Sequence, residues 1–288
     1  MTLRLKLKSV LVFLLILGMV AVAQHVFSDE KIVQVMGAPH QESTSVPVIM
    51  YHHMLNEQSR WGEWTISPEE FEADLIYLKE HGYTAMLISE LVSALKGERE
   101  MPEKPIVLTF DDGHESTYAY AFPLLKEYGM KAVVSVIGRY SDLFSEDDGH
   151  HISYSYLQWQ QVKEMSDSGL VEFGNHSYDL HDNHNRRGCC KMWGESKEEY
   201  RAMLGEDTQK THDRLKQATG KDCVIYAYPY GAYCEESQEL LKEMGYQVVL
   251  GCEEKVNELT GFTPVLWLDR FNRPHGKSSS DFFQKIAP

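Results

Sequence analysis

The stretch Lys104-Pro105-Ile106-Val107-Leu108-Thr109-Phe110-Asp111-Asp112-Gly113 decides the fold. Its apolar, β-branched first half reads as a buried strand. Gly113 permits a sharp turn, and a helix-like run follows from Ser116 towards Tyr128. Two adjacent carboxylates thus stand at the tip of a buried strand, where α/β proteins place their active sites. Neighbours on a strand point opposite ways, so one carboxylate can hold a metal while the other accepts a proton. The plainer alternative is an acidic turn that only caps the next helix. Buried charges need partners, and the rest of the chain has to supply them.

Outward from this strand the pattern repeats. Val46 to Tyr51 reads as an earlier strand, ending in His52-His53, before a loop with Trp61 and Trp64. Ser67-Pro68-Glu69-Glu70 is a full helix start, with an N-cap, a proline at the first helical position and a glutamate three residues after the cap. Phe71, Leu75 and Leu78 carry the apolar stripe, and Gly82 ends the helix. Helix ends at Gly82, Gly129 and Gly245 each precede a β-rich run: Tyr83 to Leu87, Lys131 to Ile137 and Tyr246 to Leu250. Two further units place helices near Tyr156–Ser168 and Lys197–Ala218, with strands near Leu170–Phe173 and Cys223–Ala227. Strands alternating with helices imply βα units around a parallel sheet, and about seven such strands favour closure into a barrel. The expected fold is α/β, a deformed (β/α)7-type barrel forming a single catalytic domain over residues 46–288.

The N-terminus differs in kind. Arg4, Lys6 and Lys8 precede an apolar run from Val10 to Val22, and Ala21-Val22-Ala23 offers a small-x-small cleavage site. Residues 1–23 read as a signal peptide, or as an N-terminal anchor if uncleaved, and residues 24–45 as a polar linker. The protein is expected to be secreted or held at the cell surface, touching membrane only through that segment. The 288-residue chain has a net charge of −15, and residues 1–23 hold three basic and no acidic residues, so the remainder is more acidic still. Such a surface repels nucleic acid and anionic polymers. No glycine-rich phosphate loop follows any strand, which removes a nucleotide-binding function. The five cysteines fit no CxxC zinc pattern, and their pairing stays open.

Three later segments can supply partners. Leu170 to Phe173 runs into Gly174-Asn175-His176-Ser177-Tyr178-Asp179-Leu180-His181. His176 and His181, at a strand's C-terminal end, can converge on one ion if the loop turns between them. With Asp112 they make a His-His-carboxylate set suited to a catalytic divalent metal. Surface histidines are the plainer alternative. Cys223 to Ala227 runs into Tyr228-Pro229-Tyr230-Gly231, an aromatic turn suited to stacking on a sugar ring or simply to loop packing. Leu266 to His275 brings Asp269, Arg270 and Arg273 to the same rim, although most such charge clusters are solvated surface.

In this order, Thr-Phe-Asp-Asp-Gly, Asn-His-Ser-x-x-x-His and Tyr-Pro-Tyr-Gly resemble the polysaccharide deacetylase family, also called the NodB-homology domain or carbohydrate esterase family 4. The resemblance spans Val46 to the C-terminus. It implies a deformed barrel and metal-dependent removal of acetyl groups from a glycan, usually from N-acetylglucosamine. Carried over by position, Asp111 is the base that activates water, and Asp112, His176 and His181 hold the metal. That metal is zinc in the first place, with cobalt, nickel or iron admitted by the same ligands. The backbone N–H of Tyr230 is a candidate for the oxyanion hole, and Tyr228, Pro229, Tyr230 and Gly231 for substrate binding. The chain departs from the family in three places. Its histidines are five apart rather than four, the third motif lacks its arginine, and the C-terminal Leu-x-His is not evident. The first departure and the Tyr-Pro-Tyr-Gly form resemble the poly-N-acetylglucosamine deacetylase branch, in which an early Tyr-His motif supplies the general acid. Met50-Tyr51-His52-His53 resembles it, giving His52 as acid with His275 as its rival and Arg270 as the replacement arginine. The implied substrate is an exopolysaccharide or peptidoglycan carrying N-acetylglucosamine. The alternatives are an O-acetyl esterase acting on xylan and a catalytically silent wall-glycan-binding protein.

Overall fold

The computed structural model describes residues 43–146, 149–182 and 184–286. The expected signal segment and residues 24–42 of the expected linker lie outside the described residues. The linker's last residues do not: β1 (Thr44–Val46) pairs antiparallel with β11 (Asn257–Leu259). The folded chain therefore starts earlier than residue 46, because Thr44 and Ser45 have a partner strand that no local pattern reveals.

Seven strands form the wall in chain order: β2 (Val48–Tyr51), β6 (Pro105–Phe110), β7 (Ala132–Val136), β8 (Val171–Asn175), β9 (Ile225–Ala227), β10 (Val248–Leu250) and β12 (Leu266–Leu268), while three two-residue strands lie off this row, β3 (His53–Met54) paired with β4 (Thr65–Ile66) and β5 (Thr84–Ala85) paired with the start of β6. Every neighbouring pair is parallel. The short β13 (Phe271–Asn272) pairs with β2 at the opposite end of this row from β12. Only Asp269 and Arg270 separate β12 from β13 in sequence. Three Cα steps span at most about 11 Å. The two ends of the row must therefore approach each other, and the sheet curls into the expected deformed barrel.

Alternation along the strands fills both sides. Val48, Val107, Val133, Ile225, Val248 and Leu266 share one buried cluster, the barrel interior. Their neighbours Ile49, Leu108, Val134, Tyr226 and Val249 pack outward against helices. Strands buried on both faces read as unbroken apolar runs, which is why Ile106 to Leu108 shows no polar alternation. The interior cluster also takes Val46 from β1 and Ile88, Leu91 and Val92 from α2 (Ile88–Leu95). Because β1 immediately precedes β2, this packing fills the N-terminal end of the barrel and leaves the C-terminal end for a site.

The outer helices follow their local signals. In α1 (Pro68–Glu80), Ser67 Oγ accepts from Glu70 N and the Glu70 carboxylate accepts from Ser67 N. Phe71, Leu75 and Leu78 are buried, and Gly82 takes φ 75° just past the end. The helical run after Asp112 begins at Glu115 and Ser116, as its sequence suggests. A π-turn over Thr117–Ala121 precedes α3 (Phe122–Tyr128), which Gly129 ends at φ 65°. The remaining layer is α4 (Gly138–Glu146), α5 (Trp159–Asp167), α6 (Lys197–Thr219) and α7 (Glu235–Glu243), with α8 (Ser279–Phe283) near the C-terminus. All five cysteines are free.

Candidate active site

Asp111 continues the β6 ladder, donating its N–H to Tyr51 O at 2.9 Å. The chain then reverses through two left-handed residues, Asp112 at φ 69° and Gly113 at φ 74°. A Cβ on Gly113 would meet Val136 Cγ1 at 2.9 Å, so only glycine fits there. The two carboxylates diverge because of this reversal, not because of strand pleating, which ends at Phe110. A non-glycine residue in this region costs on the order of 1–3 kcal/mol, and such strain clusters at functional sites.

Asp111 is 2% exposed and meets Arg270, which is fully buried. Arg270 Nη1 donates to Oδ1 at 2.7 Å and Nη2 to Oδ2 at 2.8 Å. The two-residue link that closes the barrel delivers this arginine, and Gly251 O (2.8 Å from Nε) and Thr109 Oγ1 (3.3 Å from Nη1) aim it. Burial pushes the Asp111 carboxyl up, but Arg270 and then His176 outweigh it and hold the pKa below the usual range. Far from being solvated rim, this part of the Leu266–His275 stretch is interior.

Asp112 faces the histidines. Its Oδ1 lies 3.5 Å from His176 Nε2 and 3.2 Å from His181 Nε2, and the three ligand atoms all lie within 4.8 Å of one another. His176 Nδ1 donates to Ala227 O at 2.9 Å, and His181 Nδ1 lies 3.2 Å from the Tyr230 hydroxyl. Both Nε2 atoms are thereby left to face the carboxylate. Asp112 Oδ1 is buried with no hydrogen-bond partner among the described residues. Two imidazole nitrogens and an orphaned carboxylate oxygen converging on one point suit a divalent cation. The residues present fit that group.

The loop between the histidines is held by residues the sequence reading does not single out. Asn175 is fully buried, donates to Thr208 O and Tyr246 Oη, and accepts from Ser177 N. Ser177 itself is left-handed at φ 69°. Asp207, on α6, accepts from Tyr178 N and Asp179 N at 2.8 Å each. These bonds fold the loop back so that residues five apart meet. One signal for Asp207 is visible in sequence, since it falls on the buried stripe of Tyr200, Leu204, Thr208, Thr211 and Leu215.

A cavity of about 630 Å³ opens over both sets, lined by His52, Trp64, Asp111, Asp112, His114, His176, His181 and Tyr230 among others. His52 follows β2, its ring 4.8 Å from Trp64 and its Nδ1 buried without a partner among the described residues. Burial lowers its pKa against the pull of Asp112 and Asp111. His275 is not brought here: its Nδ1 lies 2.8 Å from the Glu70 carboxylate, its ring packs on Trp61, and it is absent from the cavity lining. Of the aromatic turn, Tyr230 alone lines the cavity. Tyr228 is fully buried between Tyr226 and Trp267, and Pro229 is buried too, so neither offers a face for stacking. Gly231 sits where a Cβ would meet Cys252 at 3.0 Å. Tyr230 is left-handed at φ 58°, and its backbone N–H has no acceptor among the described residues. His114 is a further histidine that the sequence reading passes over, 3.3 Å from Asp112 Oδ2.

A curled parallel α/β barrel thus carries an arginine-paired aspartate beside an Asp-His-His set at one end. The polysaccharide deacetylase family model matches residues 98–249, just over half of the sequence, and the chain belongs to that family. The match covers Asp111, Asp112, His176, His181 and Tyr230 but ends before Arg270. The chain is 26% identical over 258 residues to the poly-beta-1,6-N-acetyl-D-glucosamine N-deacetylase of Escherichia coli strain K12, covering 83% of this chain and 38% of that one. It spans 64% or less of the length of the first curated relatives it matches. The solved structure of IcaB from Ammonifex degensii superposes with a TM-score of 0.67 at 29% identity, covering 85% of this chain and 97% of that one. A de-N-acetylase from Aggregatibacter actinomycetemcomitans shares the fold, with a TM-score of 0.72 at 23% identity over 84% and 100% of the two chains.

Proposed function

We propose that this protein is an exported, metal-dependent hydrolase that removes N-acetyl groups from N-acetylglucosamine-containing polysaccharide. The observation that carries it is the meeting, in one cavity, of an arginine-paired Asp111 and a converging Asp112–His176–His181 set with an orphaned carboxylate oxygen. The name of the E. coli relative supports the N-acetyl assignment. Export rests on residues 1–23 of the sequence, outside the described residues.

Asp112, His176 and His181 would hold the cation, zinc first. When bound, the cation supplies Lewis acidity, polarising the acetyl carbonyl and acidifying water beside it. Asp111 takes the proton from the attacking water, and Arg270 keeps that carboxylate ionised and aimed. The Tyr230 N–H, which has no acceptor among the described residues, would hold the developing oxyanion. His52, in its protonated form, passes that proton to the leaving nitrogen as the amide C–N bond breaks and is left as neutral imidazole, and the burial that lowers its pKa makes the proton easier to release. The products are acetate and a free amine. Trp64, over His52, and Tyr230 give the sugar ring two aromatic walls.

The test strips the purified protein of metal and follows acetate and amine from β-1,6-linked N-acetylglucosamine oligomers as zinc, cobalt or nickel is returned. Release of both products that needs the metal and is absent in Asp112→Ala is expected. Glycan binding without release under any metal would overturn the enzymatic reading, and release from acetylated xylan alone would move it to the O-acetyl esterase.

A further inference from the structure

His114 touches the carboxylate oxygen of Asp112 that the other two histidines leave alone. Oδ1 faces His176 and His181, while Oδ2 lies 3.3 Å from His114 Nε2. The His114 Nδ1 is buried with no partner among the described residues. A proton on Nε2 faces an acceptor, whereas a lone pair there would face a carboxylate, so the geometry favours the Nε2–H tautomer. The ring is fixed from both sides. His53 stacks on it at 4.2 Å and 10°, and Tyr156 at 4.8 Å and 31°, with Tyr140 stacked behind Tyr156 at 4.5 Å. Its backbone is pinned as well, by an antiparallel bridge to Tyr156.

We propose that His114 is a positioning residue for the metal-side carboxylate: its Nε2–H holds Asp112 Oδ2, so that Oδ1 alone is offered to a divalent cation. A carboxylate free at both oxygens can chelate or swing, and each occupies coordination space needed for water and substrate. One tied by its second oxygen binds through one atom and keeps positions open. Hydrogen-bond partners of ligating side chains are worth 10- to 100-fold in metal affinity or activity. The proposal rests on Asp112, His176 and His181 being the metal site.

The experiment measures zinc affinity by competition with a chromophoric chelator and counts imidazole ligands by X-ray absorption at the zinc edge. His114→Phe keeps a ring in the stack and removes the donor, while His114→Gln returns an N–H donor without the ring. Metal-free melting temperatures report whether each variant folds. The expected result is a loss of about 10- to 100-fold in zinc affinity for His114→Phe, with the imidazole count unchanged at two and metal-free melting unchanged. His114→Gln should recover affinity to within about threefold of wild type. Wild-type affinity in His114→Phe would overturn the proposal, as would a fall from three imidazoles to two, which would make His114 a ligand. Wild-type protein that binds zinc no better than Asp112→Ala would remove the metal site itself, a result distinct from loss of the His114 role alone.

Discussion

Arg270 and Arg273 both reach back to a buried aspartate, Arg270 to Asp111 at 2.7 and 2.8 Å and Arg273 to Asp74 at 2.8 and 3.0 Å. Both arginines are 2% exposed or less. Their surroundings differ. Asp74 also accepts from Tyr51 Oη at 3.0 Å and from Ser279 Oγ at 2.6 Å, and Arg273 spends further donors on Pro274 O and Lys277 O. That pair is closed on itself and ties α1, β2 and the start of α8 together. Asp111 takes side-chain hydrogen bonds from Arg270 alone among the described residues and lines the cavity. Burial wins at Asp74, whose pKa is raised despite its arginine, and loses at Asp111, whose pKa is lowered by Arg270 and His176. A saturated pair serves as a clasp, whereas a pair with lone pairs left towards a cavity can act as a reagent.

The largest expected effect separates the two directly. Asp111→Asn should lower kcat by about 10²- to 10⁴-fold, the range for losing a general base. Asp74→Asn should leave the rate per folded molecule within about twofold, because that carboxylate takes part in no proton transfer. Rates on metal-loaded protein, corrected for the folded fraction by circular dichroism, test this. An equal loss in both variants would end the distinction.

Next comes stability. Arg273→Leu strands a buried carboxylate, which should cost about 3–5 kcal/mol in urea unfolding. Pairing it with Asp74→Leu removes the stranded charge and should recover much of that loss. Zinc affinity should not change in either protein. If the single variant unfolds at the wild-type midpoint, the Asp74 pair is not the clasp its closed hydrogen bonding implies.

How much of this could be read from the sequence follows from how local each signal is. The α1 capping box, the glycine stops and the apolar runs of β6 and β7 are written within a few residues, and the structure contains them. Asp111 and Asp112 are legible because a buried strand ends there. Arg273 is not, because its partner Asp74 lies 199 residues away. Read alone, its charged stretch looks like solvated rim. The partner's side does carry a mark: Asp74 sits among Phe71, Leu75 and Leu78 on the buried face of α1, as Asp207 does on α6. A carboxylate on an apolar helix stripe announces a distant donor without naming it. The aromatic turn is legible as a turn only. That Tyr230 and not Tyr228 faces the cavity depends on a left-handed φ and on packing against Trp267.

Asp207 sharpens the comparison because it is a buried carboxylate with no guanidinium. Burial pushes its pKa up to about 6, although the N–H groups of Tyr178 and Asp179 pull the other way. With the folded pKa above the unfolded value of about 4, the folded state binds more protons between those two pH values. The stability it contributes is therefore fully present below about pH 4 and is lost as pH rises to about 6. Urea midpoints of metal-free wild type and Asp207→Asn, measured from pH 4 to 7, should diverge towards acid, with wild type gaining. A wild-type gain towards neutral pH instead would mean that the two backbone donors outweigh burial.

The smallest effect asks whether clasp and mouth are mechanically independent. Ser67 Oγ accepts from Glu70 N at 3.2 Å, and the same glutamate reaches His275 at 2.8 Å and Gly276 N at 2.9 Å. The start of α1 is thus joined to the C-terminal segment at a second point, one turn from Asp74. Ser67→Ala should cost about 1 kcal/mol, the usual worth of an N-cap, seen as a lower urea midpoint. It should leave kcat and zinc affinity unchanged, because Asp111 and Asp112 are carried by β6 and aimed by Gly251, Thr109 and the histidine loop, none of which touches Ser67. A fall in kcat at constant folded fraction would show that the barrel's closing link transmits strain from Arg273 to Arg270 across the two residues between them. The closed pair would then be part of how the open one is aimed.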